Sequence, residues 1–518
     1  MRCVCLIALL ALSNPARADD VEAQKTLLAE QLDAWDLVES KKTLDALSAA
    51  RPSDPDVLWF KGQLAFLRGR YAEAVGHYEA ALVARPGDKH VAATLELAKS
   101  TLGVVKDFKE QQTSGGHFTL AWQPGVDEVL VPYADVALEK AYEALGEIFR
   151  LRPGEPIRVE IYPKVSNLAD VSPLKLSEIQ TSGTIALCKY NRLMIVSPRA
   201  LVYGYPWLDT LAHEYTHLLV TRRSKNTVPI WLHEGMAKFF ENRWRETTNA
   251  VLAPSSEDLL AGAVKKKKLI RFEAMSPSMA KLPSQEDTAL AFAEVFMVME
   301  MVYSKSGVDG VNALLDLMGS GLSDREAVEK VSEKSFDRFQ KEWRQYLYQR
   351  NLQTLPTHAT SRLLFREKDK PKDELKDIVE EQARQLTYLG DLLAVRQRFK
   401  AASKEYERAI ERAGGPNPII SAKLASSLLK QGRHQQVLTV VTPALKLNPQ
   451  HILLYLYRGK ARLAIGEYEA AQRDLADAIG LNPFDPEVHG LMAEALGKLG
   501  RTQAAEQERR HQRLVTAE

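Results

Sequence analysis

A step of 34 residues recurs at both ends of this chain. Gly432, Gly466 and Gly500 are spaced 34 apart, as are Pro449 and Pro483, and near the other end Pro52 and Pro86. Between Pro52 and Pro86 lie Gly62, Gly69, Tyr71, Ala74, Tyr78 and Ala81; between Pro449 and Pro483 lie Gly459, Gly466, Tyr468, Ala471 and Ala478. A period of this length means one helical pair per repeat, unable to bury its apolar face except against a like neighbour. Small residues let the paired helices approach closely, and the tyrosines fill the space between them. Phe399, Ala402, Tyr406 and Ala409 open a further unit, and the helix Ala504 to Leu514, rich in Gln, Glu and Arg, reads as a solvent-facing cap.

These small and aromatic positions resemble the tetratricopeptide repeat. The resemblance implies two all-α arrays, over residues 19–112 and 374–518, with a concave surface suited to a protein or peptide. The bland alternative is an array that only braces its neighbour. The segment with Leu44, Leu47 and Arg51-Pro52 keeps the register without the signature and reads as a degenerate first repeat or a cap. Residues 354–373, polar and Pro-flanked, read as a linker.

Between the arrays the period changes. His117 to Trp122 and Ile157 to Tyr162 alternate as strands do, and Tyr133 to Phe149 has helical spacing. Thr184 to Cys188 and Arg192 to Val196 read as a hairpin around Lys189-Tyr190-Asn191. Leu211-Ala212-His213-Glu214-Tyr215-Thr216-His217-Leu218-Leu219 follows, a His-Glu-x-x-His motif in an apolar, helix-compatible run. Residues four apart share a helix face, so His213 and His217 can present two imidazoles to one metal ion. Glu214, one position round, can reach a metal-bound water without binding the metal itself.

A polar turn over Arg222 to Thr227 leads into Val228-Pro229-Ile230-Trp231-Leu232-His233-Glu234-Gly235-Met236-Ala237. Glu234 stands 17 residues after His217. That is enough chain to end one helix, turn, and begin an antiparallel one, with Pro229 suited to its start. Two buried imidazoles and two carboxylates without a cation would cost several kcal/mol in desolvation. Two imidazoles and one carboxylate favour Zn2+.

The two motifs together resemble the gluzincin metallopeptidases, and more narrowly the bacterial peptidase MA-like domains often joined to tetratricopeptide repeats. The resemblance covers roughly Gly116 to Leu347, within a domain expected over residues 113–353. It implies an α+β, thermolysin-like catalytic domain with a small sheet and a helical bundle, His213, His217 and Glu234 as zinc ligands, and Glu214 as general base. Asp209 and Glu241 are weaker candidates to orient a ligand imidazole. Gluzincin aminopeptidases carry Gly-x-Met-Glu-Asn on the edge strand. This chain reads Gly183-Thr184-Ile185-Ala186-Leu187 there, which favours an endopeptidase. Where such domains often carry tyrosines on the backing helix, this one has Phe292 and Phe296. The oxyanion donor is left open among Tyr190, Tyr203, Tyr205, His233 and Tyr303. Helices are expected over Leu290 to Tyr303 and Glu326 to Tyr346.

Composition bounds the setting. Hydrophobic residues at 45% and charged residues at 26% suit packed globular domains, and a net charge of +2 gives no reason to expect nucleic acid or an anionic membrane as partner. Lys265 to Lys268 reads as a solvated loop or helix end. Arg2, the short apolar run Cys3 to Leu12, and Ala16-Arg17-Ala18 before Asp19-Asp20 read as a signal peptide over residues 1–18. The mature chain would be exported, to a bacterial periplasm or the medium, with no transmembrane segment. Its single cysteine, Cys188, reads as a small strand residue rather than a nucleophile. The expected function is a secreted zinc endopeptidase whose repeats bind a protein substrate or partner. The competing reading is a repeat scaffold with a structural or weakly active peptidase-like domain.

Overall fold

The computed structural model describes residues 15–245, 251–355, 363–366 and 374–517. Residues 1–14, with most of the expected signal peptide, lie outside them, as does most of the expected linker. The chain divides into two compact units, residues 1–103 and 104–518. The first is helical: α1 (Pro15–Asp33), α2 (Leu37–Ala50), α3 (Pro55–Leu67), α4 (Tyr71–Ala84) and α5 (Lys89–Val105). Asp54 caps α3 by accepting from the amides of Asp56 and Val57, with Pro55 in the first turn. The repeat signature has a direct steric cause. A methyl group at Gly62 would lie 2.4 Å from the buried Tyr78 ring.

The second unit opens with a five-stranded sheet of β1 (Lys109–Gln112), β2 (Phe118–Trp122), β3 (Ile157–Tyr162), β4 (Ala186–Lys189) and β5 (Arg192–Val196), in the order β1-β2-β3-β5-β4. The three central strands are parallel and both edge strands antiparallel. β1, a charged and exposed strand, has no apolar alternation to betray it in the sequence. It moves the start of this unit ahead of the boundary expected at residue 113. Tyr190 and Asn191 both take positive φ, which closes the tight β4–β5 hairpin.

Around the sheet lie α6 (Val131–Ile148), α7 (Val165–Asp170), α8 (Leu176–Ser182), α9 (Trp207–Ser224), α10 (Ile230–Phe240), α11 (Pro254–Lys266), α12 (Gln285–Gly319), α13 (Asp324–Ser332) and α14 (Phe336–Gln349). α12 is longer than the expected Leu290 to Tyr303 and bends at Gly307, whose φ is +59°. The stretch expected as one helix over Glu326 to Tyr346 is two. Glu333 in the left-handed conformation ends the first, and the Ser335 hydroxyl caps the second. Lys265 and Lys266 end α11 and, with Lys267 and Lys268, are exposed.

The C-terminal array is α15 (Glu381–Val395), α16 (Phe399–Arg412), α17 (Pro418–Leu429), α18 (His434–Leu447), α19 (Ile452–Ala464), α20 (Tyr468–Leu481), α21 (Pro486–Lys498) and α22 (Thr502–Thr516). It belongs to the same compact unit as the sheet. Residues 363–366 of the expected linker are not free chain: Phe365 is buried and bridges to Leu201, and the Val202 amide donates to Leu364. Apolar residues inside a polar stretch gave it a place to pack. Gly390 repeats the contact of the first unit, its absent Cβ lying 2.4 Å from the Tyr406 ring. Gly390→Ala is therefore expected to destabilise the array by about 1–3 kcal/mol, the range for overpacking a filled core. Urea denaturation followed on the array measures it.

Candidate metal centre

The site is built on α9 and α10. α9 is buried on nearly every side, so its faces contact different things. One face carries Tyr215, whose ring meets Phe118 of β2 edge-on with centroids 5.2 Å apart and stacks near Tyr142. The opposite face carries His213 and His217. α9 ends later than expected, at Ser224, where Lys225 and Asn226 take positive φ and turn the chain back. Pro229 caps the start of α10, its carbonyl accepting the His233 amide. Gly235 then lets α10 press onto α12: a Cβ there would lie 3.0 Å from both the Val295 carbonyl oxygen and Met299 Cγ. Trp231 fixes the roll of α10 by stacking on Phe272 and donating its indole N–H to Asp324 at 3.0 Å.

This places Glu234 against the two imidazoles. His213 Nε2 and His217 Nε2 are 3.1 Å apart, and Glu234 Oε2 is 3.4 and 3.3 Å from them. Zinc bonds of about 2.0–2.1 Å in a tetrahedron separate neighbouring ligand atoms by about 3.3 Å, so the triangle has the dimensions of one ion's shell. Without a cation, burial alone would push the His213 imidazole down, but hydrogen bonds to Glu234 and Glu241 and the Glu214 charge raise it to about 10. Burial would push the Glu234 carboxyl up, yet the two histidines hold it far below the usual carboxylate range.

The outer partners are specific. Glu241 Oε2 lies 3.1 Å from His213 Nδ1, and its other oxygen accepts from Lys238. Behind His217 stands His233: the two Nδ1 atoms are 2.5 Å apart, and His233 Nε2 is 3.2 Å from the Thr221 hydroxyl. Burial and the adjacent His217 hold the His233 imidazole down at about 3. A neutral His233 can accept at Nδ1, so His217 can donate there and leave Nε2 for a metal. From the sequence alone, His233 is a candidate oxyanion donor only. Its place immediately before Glu234, on the helix that returns past His217, was the available signal for this other role.

Asp209 goes elsewhere. Its carboxylate accepts from the Trp244 indole at 2.9 Å and from Arg245 at 2.8 and 3.2 Å, not from a site histidine. One turn upstream on α9 is the right height, but the side chain leans toward the N-terminus of the helix. The oxyanion candidates are also engaged or remote. Tyr205 donates to the Val196 carbonyl, and the exposed Tyr203 donates to Glu374 at 3.4 Å. Tyr303 packs among Phe239, Phe240 and Arg243, and Tyr190 sits in the hairpin turn beside Arg192. Phe292 meets the His213 ring edge-on at 6.1 Å, and Phe296 packs on Phe239.

Glu214 is buried, with an oxygen within 4.8 Å of an imidazole nitrogen of each histidine. It accepts the backbone N–H of Cys188, while Oε2 has no hydrogen-bond partner among the described residues. Burial pushes its carboxyl up, with His217 and His213 opposing. An orphaned, raised carboxylate beside the triangle suits proton transfer. The Cys188 thiol is pushed well up by burial, which disfavours the nucleophilic thiolate.

On the backing helix α12, Glu294 is fully buried. One oxygen accepts from the Ile270 amide at 2.8 Å and the other is unpartnered among the described residues. Burial raises this carboxyl to about 8. A group raised on folding adds stability that is complete below the ordinary carboxylate range and is lost as pH rises through the folded value. Wild type and Glu294→Gln should therefore have similar stability near pH 5. The wild type should then fall behind by up to about 1.4 kcal/mol per pH unit toward pH 8, measured by urea denaturation at each pH.

Comparison with known proteins agrees with this architecture. Residues 137–349 match the Peptidase MA superfamily, and residues 32–89, 388–451 and 428–495 match tetratricopeptide repeat families. The chain thus carries a Peptidase MA superfamily domain flanked by tetratricopeptide repeats. Hsc70-interacting proteins 1 and 2 of Drosophila melanogaster are each 32% identical to it over 114 residues, 22% of this chain and 30% of theirs. The match thus spans less than a third of those relatives. Among solved structures, the first repeat domain of Spaghetti (RPAP3) bound to an HSP90 peptide is 21% identical with a TM-score of 0.23, covering 23% of this chain and 95% of that one. MamA 41-end from Desulfovibrio magneticus RS-1 is 19% identical with a TM-score of 0.24, covering 26% and 74%.

Proposed function

We propose that this protein is a zinc-dependent metallopeptidase, with His213, His217 and Glu234 as ligands and Glu214 as general base. The observation that carries the reading is the triangle of two imidazole nitrogens and one carboxylate oxygen at 3.1, 3.3 and 3.4 Å beside an unpartnered carboxylate oxygen of Glu214. Bound zinc supplies Lewis-acid polarisation of a carbonyl and an acidified water. Glu214 takes the proton of the attacking water and hands it to the leaving amine. Glu241 and His233 hold the imidazoles in the tautomer that leaves Nε2 free to coordinate.

The edge strand β4 offers its open side to an extended substrate chain. No acidic side chain stands in residues 183–187 to hold a free amino terminus, so the cleft favours internal peptide bonds. The repeats present the substrate protein or a partner, and the chain works outside the cytoplasm. A mixed, unfolded proteome incubated with the protein before and after chelation tests this. Chelator-sensitive internal cleavages, with little release from amino-acid anilides, are expected. No cleavage in either condition would leave the scaffold reading in its place.

A further inference from the structure

The catalytic helix α9 does not begin on its own domain. Its entry is built against the C-terminal end of α20, in the last third of the repeat array. The final carbonyls of a helix lack intrahelical partners and need donors from elsewhere. Here the donors come from the start of α9. The Tyr205 amide donates to Leu481 O at 3.0 Å, and the Trp207 indole N–H donates to Ile479 O at 3.1 Å. Trp207 is fully buried. Gly204, at φ +71°, passes so close that a methyl group there would lie 2.2 Å from Leu481 O. Two turns of helix separate these contacts from His213.

A polar link runs alongside. Arg245 holds Asp209 in the first turn of α9 at 2.8 Å, and its other nitrogen is 4.0 Å from Asp477 of α20. Arg245 lies four residues after Glu241, the partner of His213. Elsewhere along the same contact, Tyr133 of α6 donates to both oxygens of Glu508 at 2.7 and 2.9 Å, and His489 Nδ1 meets the same carboxylate at 2.7 Å. His489, Glu508 and His511 are near enough to suggest a second metal site. The spacing decides otherwise: 2.7 Å is the length of a hydrogen bond, whereas the atoms of the first triangle stand 3.1–3.4 Å apart.

We propose that Trp207 and Arg245 are positioning residues, through which the seated C-terminal array sets the height and roll of α9 and so the placement of His213 and Glu241. The array is then part of the metal site's framework, not an appended arm. This rests on the metal reading above. Three consequences separate it from a merely stabilising contact. Trp207→Phe keeps an aromatic ring, though one smaller than the indole, and removes the donor to Ile479, and Gly204→Ala pushes α20 away. Both should speed hydrogen exchange in the first turns of α9 about tenfold and weaken zinc binding about tenfold, at temperatures where the chain is fully folded. Gly390→Ala, which loosens the array far from this contact, should change neither.

The experiment is hydrogen–deuterium exchange on the full chain with parallel zinc titration of the same three variants and wild type. Selective exchange in α9 with weakened zinc binding in Trp207→Phe and Gly204→Ala supports the proposal. Unchanged exchange in α9, or faster exchange with unaltered zinc affinity, overturns it. A wild type that binds no zinc sinks the metal reading instead, and the exchange comparison then decides alone whether the array sets α9.

Discussion

Glu214→Gln is expected to abolish most hydrolysis, by about 10²–10⁴-fold in kcat/KM, the range for removing a general base, while the protein keeps its metal and its fold. The environment of the residue makes this a clean substitution. One side-chain oxygen accepts the Cys188 amide, which the Gln carbonyl can also do. The other oxygen has no partner among the described residues, so an NH2 group there breaks no hydrogen bond. Glu214 is buried, and its carboxyl is pushed up by that burial. The neutral amide therefore relieves a desolvation penalty, and thermal stability should not fall. Parallel measurement of cleavage rate, metal content and melting temperature checks all three. A variant that still cleaves at the wild-type rate would remove Glu214 from the base role.

Glu234→Ala is expected to act on the other half of the site. It removes one corner of the triangle and leaves two imidazoles 3.1 Å apart with no carboxylate between them. Loss of an outer partner to a ligand histidine typically weakens metal binding about 10–100-fold. Loss of a ligand should exceed that, so the order of zinc affinity should be wild type, then Glu241→Gln, then Glu234→Ala. Competition titration with a chromophoric chelator resolves the order. If Glu241→Gln were the weaker binder, Glu234 would not be a ligand.

These residues were legible in the sequence because their positions follow from helix geometry. His213 and His217 share a face by their spacing alone, and Glu234 falls on a helix that has to return past them. The strands β2 and β3 were legible by alternation, and β4 and β5 as the two arms of a hairpin around Lys189-Tyr190-Asn191. The repeats were legible by their step of 34, and Gly62 against Tyr78 shows the contact behind that pattern. What was not legible depends on contacts distant in sequence. Asp209 carries the right chemistry at the right height, but Trp244 and Arg245 claim it. The polar stretch before the second array suggested a linker, yet Phe365 is buried against Leu201. The grip of α20 on Gly204 and Trp207 spans more than 270 residues of chain, and no local pattern announces it.

The central claim is that one divalent ion sits among His213, His217 and Glu234. Elemental analysis of the purified protein, beside a His213→Ala variant, tests it most directly. The account predicts one zinc per chain in the wild type and a substoichiometric amount in the variant. A wild-type protein that holds no zinc after exposure to excess metal and desalting, or a variant that holds as much as the wild type, would contradict it.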